Sequence, residues 1–362
     1  KEITFKDWLL LANRIRENSC MKLTVSILSG EDQEEINQVE VGKPHVVILG
    51  AGASYAAFPN GDARGNKLPL MNNFVETLGI EKLIKKANIK TKSNNFEDIY
   101  SEIQKQPNLS DLCKELEHEV YSYFQNLELP DEPTIYDHLV LSLRDKDFIA
   151  TFNWDPFLVQ AIRRNGSQFK LPKPLFMHGN VEVGYCPDKH MMGNNGGLCH
   201  ECGANLLPTK LLYPVKEKNY HLDEFISRQW TVLENMLGIA FMVTIFGYGA
   251  PVSDARAVSL LKKAWGSTDD RSMEQFEVID VRNEDDLRDT WSPFIHSHHY
   301  RIENDFYNSW ISNHPRRTGE AYFNQYIKAM FIDNNPIPKD ASFEELWEWY
   351  DKLHDVENAS KT

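Results

Sequence analysis

The stretch "HVVILGAGAS" (residues 45–54) carries an apolar run straight into a pair of glycines. A short run without polar alternation suits a strand whose sheet is covered on both faces, as parallel sheets are. Gly50 and Gly52 then permit a sharp turn and the close backbone approach that a pyrophosphate requires. The third glycine of the dinucleotide fingerprint is absent, because position 55 is Tyr. A tight strand-to-helix corner without a ligand would read the same way.

Working outward, apolar runs recur at 148–152, 174–177, 241–246 and 276–281, separated by segments of helical spacing. This alternation predicts an α/β fold built on a Rossmann-like parallel sheet. The first two runs are separated by about 95 residues, far more than one crossover helix needs. Phe96, Ile99, Tyr100 and Ile103 share a helical face there, as do Leu112, Leu116 and Val120. The region, about 72–143, reads as an inserted helical layer beside which a substrate cleft could form.

Residues 1–42 read as an N-terminal extension, with helical spacing at 5–18 and an irregular strand at 22–29. The nucleotide-binding domain spans 43–300 and carries a small Cys- and His-rich module at about 184–215. Residues 301–362 form a C-terminal helical extension. In it, Ser342 and Glu345 make a capping box ahead of an apolar stripe of Phe343, Leu346, Trp347, Tyr350 and Leu353. The stripe reads first as packing on the chain's own core and second as an oligomer interface.

Acidic residues outnumber basic ones, 53 to 39, for a formal charge of -14. A surface of that sign repels phosphate backbones, so direct nucleic-acid binding is not expected. The basic run Lys82, Lys85, Lys86, Lys90 and Lys92 reads as a solvated helix face. No apolar stretch approaches the roughly 18 residues of a membrane span, and residues 1–25 lack the pattern of a secretion signal. The five cysteines, an odd number with three clustered, suit a reducing cytoplasm better than a disulfide framework.

Candidate chemistry sits where the strands end. "IATFNWDPF" (149–157) closes on Asn153 and Asp155, and "LFMHGN" (175–180) closes on His178, whose near-neutral pKa suits proton transfer from a hydroxyl or water. "IFGYGAPVSD" (245–254) supplies Gly247, Gly249, Ser253 and Asp254, and "FEVID" (276–280) ends on Asp280, a carboxylate suited to ribose hydroxyls. Turn formation explains any one of these residues. Their coincidence at five strand ends argues for a ligand crevice.

In this order, GAGAS (50–54), FNWD (152–155), HG (178–179), a cysteine cluster and GYG (247–249) resemble the sirtuin family over roughly residues 45–283. The resemblance implies a domain that binds NAD and breaks its nicotinamide-to-ribose bond. Gly50, Ala51, Gly52, Ala53 and Ser54 would then hold the pyrophosphate. Asn153 and Asp155 would flank the nicotinamide ribose, His178 would be the catalytic base, and Gly247 and Gly249 would lie near the adenosine half. Sirtuins also carry two cysteine pairs. Here Cys186, Cys199 and Cys202, with His190 or else His200 as the fourth ligand, offer three thiolates and an imidazole for a structural Zn2+.

The chain departs from the family twice. In "FPNGDARGNKLPLMNNF" (58–74), Phe58 and Arg64 lack the arrangement that shields the reactive ribose in deacylating sirtuins, and "LLYPVKEKNYHL" (211–222) lacks the strand that pairs with an acyl-lysine peptide. By contrast, "LPLMNNF", "FNWD" and the Trp230 helix before "GYGAPVSD" look like a bacterial sirtuin-like branch of antiphage defence. This resemblance implies an NAD+ hydrolase that releases nicotinamide and ADP-ribose in infected cells. It would be gated by assembly, as a homo-oligomer or with a partner such as a DNA-translocating ATPase. Lysine deacylation and non-catalytic sensing of NAD or ADP-ribose are the alternatives.

Overall fold

Each of the five apolar runs forms a strand of one parallel sheet, and the sheet gains a sixth. The computed structural model describes residues 42–359 apart from 92, 216–219, 221, 268–270, 272 and 297–298. The helix expected at 5–18 and the strand expected at 22–29 lie outside the described residues.

The strands are β1 (His45–Leu49), β2 (Phe148–Thr151), β3 (Lys173–Phe176), β4 (Val183–Tyr185), β5 (Met192–Asn194), β6 (Leu207–Pro208), β7 (Met242–Phe246), β8 (Gln275–Ile279) and β9 (Tyr300–Glu303). The large sheet runs β3-β2-β1-β7-β8-β9, and β5-β4-β6 form a small antiparallel sheet. Counted along the chain, the large sheet has the 3-2-1-4-5-6 order of a doubly wound dinucleotide fold. Every residue of β1, β7 and β8 is buried, as two covered faces require.

β9 carries the sheet past residue 300, through Glu303. Its sequence YRIE alternates polar and apolar residues, each half-buried, and Arg301 pairs with Glu303 at 2.7 Å. An edge strand with one solvated side lacks the continuous apolar run that marks its neighbours.

The helices are α1 (Ala51–Ala57), α2 (Phe74–Leu78), α3 (Glu81–Lys86), α4 (Phe96–Gln104), α5 (Ser110–Gln125), α6 (Ile135–Leu141), α7 (Phe157–Asn165), α8 (Glu224–Ile239), α9 (Ala255–Trp265), α10 (Glu284–Trp291), α11 (Trp310–Asn313), α12 (Thr318–Tyr322) and α13 (Phe343–Ala359). The inserted layer is α2 to α6; of its expected faces Phe96, Ile99, Tyr100, Ile103, Leu116 and Val120 are buried and Leu112 is half-buried.

α13 opens on the expected capping box, with Ser342 N donating to Glu345 Oε2 at 2.9 Å and Glu345 N to Ser342 Oγ at 3.3 Å. Its Leu346 and Tyr350 are fully buried. The Tyr350 hydroxyl meets Ser142 Oγ at 2.7 Å, and Trp347 Nε1 donates to Asn165 Oδ1 at 2.8 Å. Buried Arg316 joins Glu357 at 2.6 Å. The apolar stripe therefore packs on the chain's own core, against α6 and α7. A buried polar seam docks the segment before it: His45 contacts Thr318 Oγ1 at 3.0 Å and Thr244 Oγ1 at 2.8 Å, while Glu277 accepts from Trp310 N at 2.7 Å.

At the switch point between β1 and β7 the two outgoing loops cross in contact. Gly50 N donates to Phe246 O at 3.0 Å and Gly52 N to Gly247 O at 2.9 Å. A Cβ on Gly50 would stand 2.6 Å from Gly247 O, and one on Gly247, where φ is +61°, would stand 2.6 Å from Gly52 Cα. Backbone lies on both sides, so neither loop can yield to a methyl group. Gly247→Ala should therefore lower unfolding stability by about 2 kcal/mol or more, read by urea denaturation. A change under about 0.5 kcal/mol would show that the crossing tolerates a side chain.

Candidate active site

The crevice opens over the carboxyl ends of the central strands, where open α/β sheets bind ligands. It holds a cavity of about 680 Å³, within the range of small-molecule sites. Gly50, Ala51, Gly52 and Ser54 line it from the first turn, Asn153 and Asp155 from the end of β2, and His178 from the end of β3. Gly247, Gly249 and Ser253 line it after β7, and Asp280 after β8. Ala53 is the exception among the strand-end residues, buried behind the wall.

The glycine turn answers first to the loop crossing. Gly50 and Gly52 spend their amides on the β7 loop, and Ala53 N donates to Gly50 O at 3.0 Å. Few donors of GAGAS are left for a phosphate, so the motif shapes the cavity more than it charges it.

Behind this turn lies a buried hydrogen-bond network. Ser54 Oγ donates to Asp155 Oδ2 at 2.6 Å. It accepts from Asn153 Nδ2 at 3.0 Å and from the Tyr136 hydroxyl at 2.7 Å. Asn153 Nδ2 also donates to Gly50 O at 2.9 Å. With both amide hydrogens committed, Asn153 presents its carbonyl oxygen to the cavity as an acceptor. Asn180 Nδ2 clamps the Asp155 backbone carbonyl at 2.6 Å.

Burial pushes the Asp155 carboxyl up to about 6, against the opposing hydrogen bond from Ser54. Burial also drives the Tyr136 phenol well above its usual range, with the Asp155 charge adding to the effect. Tyr136 thus stays a neutral donor, and the chain of donation runs from Tyr136 to Ser54 to Asp155.

His178 lies between aromatic rings. Phe152 meets it edge-on at 4.8 Å and Tyr220 lies parallel to it at 5.9 Å. Its Nε2 stands 3.8 Å from Asp254 Oδ1. Asp280 accepts from Arg282, at Oδ1 from N at 3.0 Å and at Oδ2 from Nη2 at 3.0 Å.

The segment after α1 arches over the cavity, with Pro59, Leu68, Leu70 and Met71 in its lining. Buried Asp62 anchors the arch, accepting from Arg64 N at 3.0 Å, Asn66 N at 2.8 Å and Glu128 N at 3.0 Å. Phe58 does not face the cavity; it is buried against Phe157, with ring centroids 4.4 Å apart. Arg64 pairs with Glu128 on the surface.

Tyr136, Asn180 and Asp62 were not foreseen. Tyr136 stands inside T-I-Y-D, a capping box closed by Thr134 and Asp137 that starts α6. That motif reveals the helix start, but nothing local reveals a contact 82 positions away in sequence.

The small sheet carries Cys186, Cys199 and Cys202, whose Sγ atoms all lie within 4.8 Å of one another. Cys186 and Cys202 are 3.6 Å apart, close to the edge of about 3.8 Å implied by a tetrahedral site with Zn–S near 2.3 Å. The donor set fits a structural zinc, which when bound would tie β4 to the loop before β6.

Neither His190 nor His200 stands within the thiol group. His190 Nε2 meets Arg228 Nη2 at 2.9 Å, and its Nδ1 lies 3.7 Å from Glu224 Oε1. The backbone gives the reason. His190 N donates to Cys186 O just as Gly203 N donates to Cys199 O, both at 2.7 Å. Both residues are left-handed, with φ of 54° and 73°. His190 is thus the counterpart of Gly203, which closes the second turn, and the counterpart of Cys202 is Lys189.

Two outcomes follow. Metal analysis of the purified chain should find about one zinc, unchanged in His190→Ala and lost in Cys199→Ser; loss on removing His190 would overturn this assignment. For Asp155, the folded-state pKa lies above the ordinary 3.8, so the cost of its charge is absent below about pH 4 and complete above about pH 6. Asp155→Asn should then raise stability at pH 8 by roughly 1–3 kcal/mol and lose that advantage by pH 4. A less stable variant at pH 8 would mean the carboxylate is a net stabiliser.

No protein-family profile matches the chain, and neither does any curated protein. Solved structures similar to it include one described as a structural basis for the mechanism and regulation of Sir2 enzymes, with TM-score 0.38 and 14% identity, covering 91% of this chain and 100% of that one. A Sir2 homolog in complex with NAD matches with TM-score 0.36 and 13% identity, over 91% and 97%. A mutant Sir2 homologue in complex with ADP ribose matches with TM-score 0.39 and 12% identity, over 83% and 100%. These likenesses are remote and carry no argument about what the chain does.

Proposed function

We propose that the cavity binds NAD and cleaves its nicotinamide-to-ribose bond with water as the acceptor. The carrying observation is that one cavity at the switch point of a doubly wound sheet gathers a desolvated carboxylate, a fixed amide acceptor and a buried imidazole. A carboxylate raised by burial and kept in the wall of a cleft is a functional-site signal.

The chemistry matches these groups. The C–N bond breaks with its electron pair moving to the pyridinium ring, which leaves as neutral nicotinamide. The ribose passes through an oxocarbenium-like state, as in glycoside cleavage. In this reading Asp155 supplies negative charge behind the network, acting through Ser54, and the Asn153 carbonyl orients the attacking water. His178 takes the proton that water loses on bonding to the ribose carbon. The products are nicotinamide, ADP-ribose and a proton. An activity that drains NAD requires restraint, and assembly with further copies or with a defence partner is the restraint we favour.

A second reading has its own observation. The cavity extends into an apolar annex of Leu68, Leu70, Met71, Phe74, Phe124 and Trp154, which suits an acyl group and hence lysine deacylation. Incubation with NAD alone, with an acetyl-lysine peptide, and with the product of a neighbouring gene separates the cases by nicotinamide release. Hydrolysis predicts release without peptide, and Asn153→Ala and His178→Ala should each lower it at least about 100-fold while remaining folded. Release only with peptide would favour deacylation. No release under any condition would overturn both readings.

A further inference from the structure

Resting on the reading of Asp155 as the anion behind the reacting ribose, we propose that Tyr136 is its positioning residue, a one-way hydrogen-bond donor that keeps the Ser54 hydroxyl pointed at the carboxylate. Tyr136 is 2% exposed and does not line the cavity, so it acts on the chemistry only through its neighbours. Its place is set by α6, whose capping box fixes the first turn. Its ring lies parallel to Phe58 at 6.2 Å and tilted against Phe157 at 5.8 Å.

The direction of donation follows from counting hydrogens. A serine hydroxyl has one hydrogen and two lone pairs, and a carboxylate only accepts. Ser54 Oγ meets Asp155 Oδ2 at 2.6 Å, the Tyr136 hydroxyl at 2.7 Å and Asn153 Nδ2 at 3.0 Å. Its hydrogen goes to the carboxylate and Asn153 fills one lone pair, so Tyr136 donates into the other. Among the described residues the Tyr136 oxygen meets one further group, Asn153 Nδ2 at 3.4 Å, which is itself a donor. Turning the Ser54 hydrogen onto Tyr136 would leave the phenol hydrogen buried without an acceptor, which folded proteins rarely tolerate.

Donation by the phenol polarises the Ser54 hydroxyl and strengthens its bond to the carboxylate. A bond to the charged form favours that form. On Asp155 burial acts first, and the bonds from Ser54 and from Phe157 N, the latter at 3.4 Å on Oδ1, oppose it. Tyr136 is the titratable group that α6 brings to Asp155, and burial with the Asp155 charge keeps it protonated. Glu97, His178, Asp254, Asp280, Arg282 and Asp305 stand elsewhere along the cavity wall. Tyr136 thus supports the anion from behind without meeting the ligand.

The test is a carboxyl titration of the full-length protein carrying 13C at the aspartate Cγ, with Asp155→Asn to assign the resonance. In Tyr136→Phe, which keeps the ring and removes the hydroxyl, the Asp155 midpoint should rise by about half a pH unit or more. In Ser54→Ala it should rise at least as far, and adding Tyr136→Phe to that background should shift it little more, because the phenol acts through Ser54. Tyr136→Met serves if the phenylalanine variant does not fold. Nicotinamide release should lose about 2-fold or more in kcat near pH 6 and less at pH 8, with KM little changed. An Asp155 midpoint in Tyr136→Phe equal to or below that of the parent would overturn the proposal, as would equal shifts with and without Ser54. If the parent cleaves no NAD, the hydrolase reading fails while the titration still decides whether Tyr136 governs the carboxylate.

Discussion

The contact on which the rest depends is the crossing of two loops at the top of the sheet, where Gly50 and Gly52 lie against Gly247 and Tyr248 without room for a Cβ. Hydrogen bonds across the crossing lock the end of β1 to the end of β7. Ser54 is carried to the network by the first of these loops, and Asp254 to His178 by the second. The distances inside the cavity are thus set by a backbone contact outside the chemistry.

The crossing also changes what the glycine motif means. Such glycines are usually read as clearance for a phosphate. Here they are first the clearance for another loop, and three of the turn's amides are used in the corner itself. Of the two readings of the opening stretch, the corner is the one these contacts display.

How much was legible follows from where the information lies. β1, β2, β7 and β8 announce themselves because their own side chains are buried on two faces, so local composition suffices. β9 was missed because half-burial leaves alternating residues that read as the start of a helical tail. Asn153, Asp155 and His178 were legible as polar residues closing apolar strands, and they do meet in one cavity. Tyr136 and Asp62 were not, since each works through a partner more than 60 positions distant. His190 was named from spacing, which reports proximity along the chain, and in the structure its ring meets Arg228.

The packing of α13 on α6 bears on what the network requires. α6 carries Tyr136, and its C-terminal end is held by Arg316, whose N–H bonds Ser142 O at 2.6 Å, and by Tyr350 on Ser142 Oγ. Both lie far along the chain from α6, Tyr350 at 208 positions from Ser142. The helix that completes the Ser54 network is thus supported by segments distant from it in sequence.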